Sequence, residues 1–317
     1  MFPELVEGQP PVMLLRYSSL GYTMSFLRYL QKKYYAQQIR QEEKNHLGQW
    51  IILYRWQPNA LSDNLADMQQ IIPPSDRFYA DPFCASENGK HFIFIEEYPF
   101  ANPIGFISVI EVFKDGTYSE AIPIIKCDYH LSYPVLFQQD GQWFMMPESH
   151  QNKTIEIWRC EQFPYKWQKH TVIMDNILAA DTTPFYYQDQ WWLFTALKQD
   201  CKKFGDKLFL FSGKDLLGKQ WQAHPLNPVK TNLVYDRPAG NIIVSDNKIL
   251  RPSQDSIKRY GGALELREIT QLSTDSYQEQ CFQRIEPCWD DSIKGTHTYN
   301  FNEGLLVMDG LKVIDKL

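Results

Sequence analysis

Short apolar stretches alternate with tight polar turns along most of this chain, and their order repeats. Phe78-Tyr79-Ala80-Asp81-Pro82-Phe83 reads as a strand carrying one carboxylate just before a proline. The turn Glu87-Asn88-Gly89-Lys90 and a second strand, His91 to Glu97, follow it. Tyr133-Pro134-Val135-Leu136-Phe137 leads through Asp140-Gly141 to Trp143–Glu148, and Thr183-Pro184-Phe185-Tyr186-Tyr187 leads through Asp189-Gln190 to Trp191–Thr195. Arg237-Pro238-Ala239-Gly240-Asn241 leads through Asp246-Asn247 to Ile249–Pro252. A fifth copy without the proline runs from Thr296 to Phe301, turns at Glu303-Gly304 and returns from Leu305 to Met308. The prolines at 82, 134, 184 and 238 are separated by 52, 50 and 54 residues. A period of about 50 residues, each opening with a strand and a tight turn, points to sheets arrayed around an axis. A β-sandwich with accidental hairpin similarity is the alternative, and the near-constant order of proline, aromatic, turn and aromatic disfavours it. The pattern predicts an all-β chain folded as a five-bladed β-propeller.

Blade one is expected from Phe78 to Cys127, blade two from His130 to Met174, blade three from Asp181 to Lys230 and blade four from Asp236 to Ile285. The last copy is short, since only thirteen residues follow Gly304. Trp50–Trp56, an apolar strand ahead of the first copy, is expected to complete that blade beside Gly295–Ile314, which removes free sheet edges. The segment from Gln57 to Asp76 reads as a loop. From Ser19 to Glu43 the spacing of Tyr22, Phe26, Leu27, Leu30, Tyr34 and Tyr35 predicts a helix. The expected division is therefore an N-terminal helical extension over 1–47 and a propeller over 48–317. The helix reads either as packed on the domain or, through Arg28, Lys32, Lys33 and Arg40, as a peripheral membrane or partner contact.

Composition narrows the function. Aromatic residues make up 15% of the chain, with 9 Trp and 18 Tyr, which suits stacked sheets and surfaces that grip flat polar ligands such as sugars. A formal charge of −6 argues against nucleic acid, which calls for a basic face. No run reaches the 18 or so apolar residues of a membrane span. The six cysteines show no metal-binding spacing and read as buried free thiols. Met1-Phe2-Pro3-Glu4 lacks a basic leader and Arg16 interrupts the apolar stretch behind it, so a cytoplasmic location is expected.

The innermost strand of each blade lines a propeller's channel, so equivalent positions of different copies converge. Those beside the prolines are Asp81, Tyr133, Thr183 and Arg237, with His297 in the fifth copy. His130, Ser132 and Asp181 lie just upstream, and the second strands deliver Glu96 or Glu97, Glu148, Gln254 and Asp255. Such a ring fits a sugar, with carboxylates for acid–base work or hydroxyl contacts, Arg for anionic groups and aromatics for stacking. Asp81, Glu148 and Asp181 are the candidate catalytic acids. Each also has a plain structural reading: a cap for Asp81, a solvated rim for Glu148 and an Asx-turn for Asp181. Arg237 could pair with Asp236, and His297 could be a satisfied core residue. Trp143, Trp191 and Trp192 read as packing between blades.

Ala80-Asp81-Pro82-Phe83, with acids from later blades, resembles the five-bladed propellers of glycoside hydrolase family 43. A closer resemblance is to the propeller at the N-terminus of plant-type glucosamine inositolphosphorylceramide transferases and in bacterial polysaccharide-synthesis proteins. It is carried by His130-Leu131-Ser132-Tyr133-Pro134, Met146-Pro147-Glu148-Ser149, Asp181-Thr182-Thr183 and His224-Pro225. Arg237-Pro238-Ala239-Gly240, Arg251-Pro252-Ser253-Gln254-Asp255, Tyr260-Gly261 and Gly295-Thr296-His297-Thr298 complete it over about residues 50–310. The resemblance implies a propeller that binds or processes a carbohydrate in cell-surface polysaccharide or glycolipid synthesis, or a non-catalytic module beside a glycosyltransferase. It makes His130, Ser132, Tyr133, Thr182, Arg237, Arg251, Gln254, Asp255, Tyr260 and His297 the expected sugar contacts. In family 43 a first-blade Asp is the base, a second-blade Asp orients and a third-blade Glu is the acid. Asp81 matches the first; Ser132 or Tyr133 stands at the second and Asp181-Thr182-Thr183-Pro184 at the third. Neither a metal nor another cofactor is expected.

Overall fold

A computed structural model describes residues 35, 37, 39 and 44–316 apart from 63, 198–206 and 230–236. The expected N-terminal helix lies outside the described residues but for positions 35, 37 and 39, which are helical. The expected surface loop Lys198–Asp206 and the side chain of Asp236 lie outside them too. Among the described residues, twenty strands form five antiparallel sheets of four. The chain begins with β1 (His46–Trp56) and β2 (Gln69–Ile71). Blade one then takes β3 (Arg77–Glu87), β4 (Lys90–Pro99), β5 (Phe106–Val112) and β6 (Ile122–Ile125). Blade two takes β7 (Ser132–Gln139), β8 (Gln142–Ser149), β9 (Thr154–Gln162) and β10 (Lys166–Asp175). Blade three takes β11 (Ala179–Tyr187), β12 (Gln190–Leu197), β13 (Lys207–Gly213) and β14 (Gln222–Ala223). Blade four takes β15 (Ile243–Ser245), β16 (Lys248–Asp255), β17 (Ala263–Leu272) and β18 (Tyr277–Ile285).

The closing blade is made from both ends of this region, in the order β19 (Tyr299–Asn302), β20 (Leu305–Asp315), β1, β2. β1 and β20 pair without interruption from His46↔Asp315 to Trp56↔Leu305, which joins the circle as the pattern predicts. The segment expected to be a loop supplies β2, whose Ile71 pairs with Ile52. Each sheet is covered on both faces by its neighbours. Its middle strands therefore carry continuous buried runs, such as Trp50–Tyr54 and Phe92–Ile95, in place of alternation. Trp143 stacks on Phe163 at 4.8 Å, and Phe163 in turn meets Phe92 of blade one at 5.4 Å. The Trp143 indole N–H donates to Glu87 Oε1 at 3.0 Å, so this tryptophan ties blades one and two together. Trp191 does the same between blades three and two against Phe137, and Trp192 belongs to the apolar cluster that blade three shares with Ile269, Leu272 and Tyr277 of blade four. Of the described cysteines, Cys84 and Cys160 are buried as expected, but Cys281 and Cys288 are exposed on β18 and the following loop.

The innermost strands of blades one, two and three each break register once: between Ala80 and Phe83, Ser132 and Val135, and Ala180 and Thr183. The first bulged residue is left-handed in all three, with φ of 49° at Asp81, 46° at Tyr133 and 51° at Asp181. Such bulges on an edge strand re-aim a side chain. Left-handed backbone costs a non-glycine residue about 1–2 kcal/mol, least for Asp. The true structural equivalent of Asp81 in blade three is therefore Asp181 and not Thr183, which the proline spacing had paired with it. Proline needs only a position whose N–H is not required, and the inner edge strand offers several. Pro82 and Pro134 fall inside the bulge, while Pro184 sits beyond it, opposite Leu193.

Candidate functional site at the channel mouth

The three bulges aim Asp81, Tyr133 and Asp181 toward the axis, where they meet residues from the other two blades. Tyr133 closes the channel below. Its phenol lies 2.9 Å from Thr183 Oγ1 and accepts the Gly240 N–H at 2.6 Å, and it is wholly buried. Gly240, at φ 137°, is required there, because a Cβ would stand 2.1 Å from the Tyr299 carbonyl. Asn300 completes the plug by donating to the Pro82 carbonyl at 2.8 Å and accepting from Asn241 N at 2.7 Å.

Above the plug are two linked clusters. In the first, Asp81 Oδ1 accepts from Thr298 Oγ1 at 2.9 Å and faces His297 Nε2 at 3.5 Å. The other ring nitrogen of His297 meets Asp309 Oδ2 at 2.5 Å. Asp309 is itself pinned by the backbone N–H groups of His297 (2.7 Å), Thr298 (3.1 Å) and Asp81 (3.3 Å). Burial pushes Asp81 up to about 7, against the pull of His297 and with the help of Glu96, Asp181 and Asp309. Burial works against the His297 cation, but Asp309 and then Asp81 hold it, and its pKa rises to about 9. The ring of His297 stacks on Trp50 at 4.2 Å and takes the edge of Tyr260 at 5.2 Å.

In the second cluster Arg237 Nε donates to Asp181 Oδ2 at 2.6 Å, and Gln254 Nε2 donates to the same oxygen at 3.0 Å. Glu148 Oε2 accepts the Asp181 N–H at 3.0 Å and lies 3.6 Å from the Arg237 guanidinium. Burial, and then the neighbouring Asp181 carboxylate, hold Glu148 well above the usual carboxylate range although Arg237 opposes this. His150 approaches Glu148 Oε1 at 3.6 Å. A third acid–histidine pair, Glu96 Oε1 with His130 Nε2 at 3.1 Å, joins the rim, and His130 Nδ1 accepts from Gly105 N at 3.0 Å. Burial disfavours the His130 cation, but Glu96 outweighs this and raises its pKa.

The fold thus brings together Asp81, Glu148, Asp181, His130, Tyr133, Arg237, Gln254, Tyr260 and His297 of the expected set. Ser132 is buried beneath, in register with Glu148. Thr182 is spent inside blade three, its hydroxyl 2.8 Å from that of Thr195. Arg251 and Asp255 are corrections. Side chains alternate along β16, so Arg251, Ser253 and Asp255 share the face opposite Gln254. Arg251 is fully buried within blade four, paired to Glu279 through two nitrogens at 2.8 Å. Asp255 receives Arg284 at 2.5 Å beside a separate small pocket. Trp50, Tyr98 and Asp309 were absent from the expected set. The signal for Asp309 was a lone acid inside the apolar run Leu305–Leu311. Asp81, His297 and Asp309 offer ligand atoms within 4.8 Å of one another and could hold a cation. Asp309 already accepts three backbone N–H groups, which leaves Asp81 and His297 Nε2 as the candidate ligands.

A cleft of about 760 Å³ adjoins the clusters, walled by Trp50, Phe78, Tyr98, Phe100 and Tyr260. Its walls touch the site directly: the Tyr98 ring is 5.8 Å from His130, and Arg237 lies 5.5 Å over the Tyr260 ring. Tyr260 is half exposed and Arg237 is reached by solvent, so the mouth is open where the base is closed.

Residues 64–304 match the family described as "Glucosamine inositolphosphorylceramide transferase 1, N-terminal". The chain belongs to that family. Proteins named glucosamine inositolphosphorylceramide transferase 1 from Oryza sativa subsp. indica and Arabidopsis thaliana are each 28% identical to it, over 64% and 70% of this chain. The matches cover only 27% and 29% of those proteins, so the chain spans less than a third of the length of the curated relatives it matches. Among solved structures, a family 117 glycoside hydrolase from Zobellia galactanivorans superposes with a TM-score of 0.52 at 10% identity, over 83% of this chain and 91% of that one. The exo-β-1,3-galactanase of Phanerochaete chrysosporium, solved with β-1,3-galactotriose, superposes at 0.50 and 12% identity over 70% of this chain and 52% of that one. At such identity these likenesses show the fold.

Proposed function

We propose that this propeller binds a carbohydrate at the channel mouth and serves as a sugar-recognition module in cell-surface glycolipid or polysaccharide synthesis, beside a glycosyltransferase. The observation that carries the reading is the pairing of an open, aromatic-walled cleft with a set of acids already bonded to protein. Asp181 is held by Arg237 and Gln254, Glu148 by the Asp181 backbone, and Asp81 by Thr298 and His297. The position of an orienting carboxylate in blade two is filled by the buried Tyr133. Carboxyl groups fixed in this way make good hydrogen-bond partners for sugar hydroxyls, and flat aromatic walls make stacking surfaces for sugar rings. Membership in the transferase family supports the setting. Saturation-transfer NMR against mono- and oligosaccharides tests the reading with Tyr98→Ala and Tyr260→Ala, two changes outside the sealed core. Ring-proton transfer that both variants abolish supports it; transfer that neither variant alters overturns it.

The chain from Asp309 through His297 to Asp81, with Glu148 held toward its protonated form, favours a second reading as a glycosidase or transglycosylase. Asp81 would be the base and Glu148 the acid, with Asp181 fixed by its arginine. Under that reading Asp81→Asn abolishes turnover of a glycoside while leaving its affinity unchanged. We also place the protein in the cytoplasm, with residues 1–45 as its contact to a membrane or partner. Release of the protein from liposomes on deleting them would support that contact, and unchanged partitioning would end it.

A further inference from the structure

β1 and β20 are each 11 residues long, yet their other partners are short: β2 meets β1 at Ile52–Tyr54, and β19 meets β20 at Leu305–Met308. From Ile51↔Gly310 to His46↔Asp315 the two strands therefore run on as a ribbon, about 20 Å long at roughly 3.4 Å per residue. Two strands alone are marginal in water and hold when a face is packed. One edge of the ribbon is taken by the segment around Lys294, whose N–H donates to the Leu311 carbonyl at 2.7 Å, while Leu311 N donates to the Gly295 carbonyl at 2.9 Å. On one face Trp50 and Gly48 lie opposite Leu311 and Val313, since cross-strand partners point the same way. These four residues line the mouth cleft. Trp50 and Leu311 are buried, whereas Gly48 is exposed and has no side chain, so the face dips there.

Ile39 bounds the same cavity. It belongs to the helical positions ahead of the propeller, seven places before His46, and is half-buried while Gln37 is exposed. We infer that the mouth site is composite, and that Ile39 of the N-terminal extension is a ligand-contact residue of the cleft that the ribbon lines. This rests on the sugar-binding reading above and adds to it a residue from outside the blades. The Ile39 side chain offers hydrocarbon to the C–H face of a sugar ring, as the aromatic walls do, and apolar surface that the ligand covers leaves water. The extension is then part of the site as well as the candidate contact to a membrane or partner. A partner that draws Ile39 away removes a sugar contact, so the two binding events oppose each other by the same factor in both directions.

The test is saturation-transfer NMR on the full chain, deuterated except at the δ-methyls of isoleucine, with glucose, galactose and β-1,3-galactotriose as probes. Saturating those methyls should transfer to the ring protons of whichever probe binds. Ile39→Val removes the label at that position alone and should remove a large part of the transfer; Ile257→Val, at another isoleucine of the cleft, sets the scale. In calorimetry Ile39→Ala should weaken binding about fivefold with Tm unchanged, and Ile39→Leu should restore it. A probe that binds without transfer from isoleucine, or with transfer that Ile39→Val leaves as it was, overturns the inference while the sugar-binding reading stands. So does an Ile39→Ala variant that binds as tightly as the parent or more tightly, which would make Ile39 a bystander or an obstruction. If none of the three sugars binds at millimolar concentration, both readings fall together.

Discussion

Glu279 and Asp81 are both carboxylates inside this propeller, with side chains 0% and 8% exposed, and their surroundings drive them in opposite directions. Burial raises both. At Glu279 it is overwhelmed by Arg251, Tyr277 and Arg267, and the carboxyl is pulled down to about 2. At Asp81 the single cation His297 does not offset burial together with Glu96, Asp181 and Asp309, and the carboxyl ends near 7. Blade four sets Arg251, Arg267 and Arg284 against Glu279, Glu265 and Asp255, a balanced network packed within one sheet. The channel mouth sets Asp81, Glu96, Glu148, Asp181 and Asp309 against Arg237 and the histidines His297, His130 and His150. Buried charge is common to both regions; the excess of acid beside an opening belongs to one. A perturbed carboxyl beside a cleft is a candidate for function, whereas the shift of Glu279 is accounted for by the arginines packed around it within one sheet.

Removing one partner from the balanced network should produce the largest effect on stability. Glu279→Gln leaves Arg251 and Arg267 without their shared counter-ion and should cost about 3–5 kcal/mol in urea unfolding, with sugar binding by the folded fraction unchanged. A loss under about 1 kcal/mol would show that the network is not structural, and the contrast would break.

The pH dependence should separate the two regions next. A histidine whose folded pKa is raised to about 9 contributes stability that is fully present below its unfolded value near 6.5 and is lost as pH rises through 9. His297→Gln should therefore be most destabilised relative to the parent near pH 6, by about 3 kcal/mol, and the gap should close above pH 9. Glu279 has the opposite sign: its contribution is present above its unfolded value of 4.5 and lost only as pH falls through about 2. The penalty of its variant should stay flat from pH 6 to 9 in the same thermal scans.

Asp81→Asn sharpens the comparison from the other side. An acid with a raised pKa weakens the fold once pH exceeds its unfolded value near 3.8, fully so above about 7. Its amide should therefore keep or raise Tm at pH 8 while weakening sugar binding about tenfold or more. A collapse of Tm with binding intact would make Asp81 architectural, like Glu279. The smallest effect is expected at Gly105. A Cβ there would lie 2.6 Å from His130 Cε1 and 2.8 Å from Glu96 Oε1, so Gly105→Ala should displace this pair. Calorimetry should show a severalfold loss of affinity, and unfolding a cost of about 1–3 kcal/mol.

The architecture was legible because repetition averages out local ambiguity: four proline-marked copies fixed the blades, and a truncated fifth required β1. The site was legible where a residue's place in the copy sets its direction, as for Asp81. Thr183 was misplaced because proline spacing tracks sequence, while direction is set by a bulge that can slip two residues without moving the proline. Arg251 and Asp255 were misplaced because a motif read as a unit has two faces once it becomes a strand. Asp309 and Trp50 stayed hidden because both lie in apolar runs whose pattern says core. Their chemistry arises only when the chain ends meet in the closing blade.

The most direct test of the contrast between mouth and network is a carboxyl-carbon NMR titration that follows Asp81 and Glu279 in one sample. The account predicts that Asp81 titrates near 7 while Glu279 stays ionised down to about 2. An Asp81 that titrates at or below its ordinary value, alongside Glu279, would show that the mouth is satisfied architecture and would contradict the account.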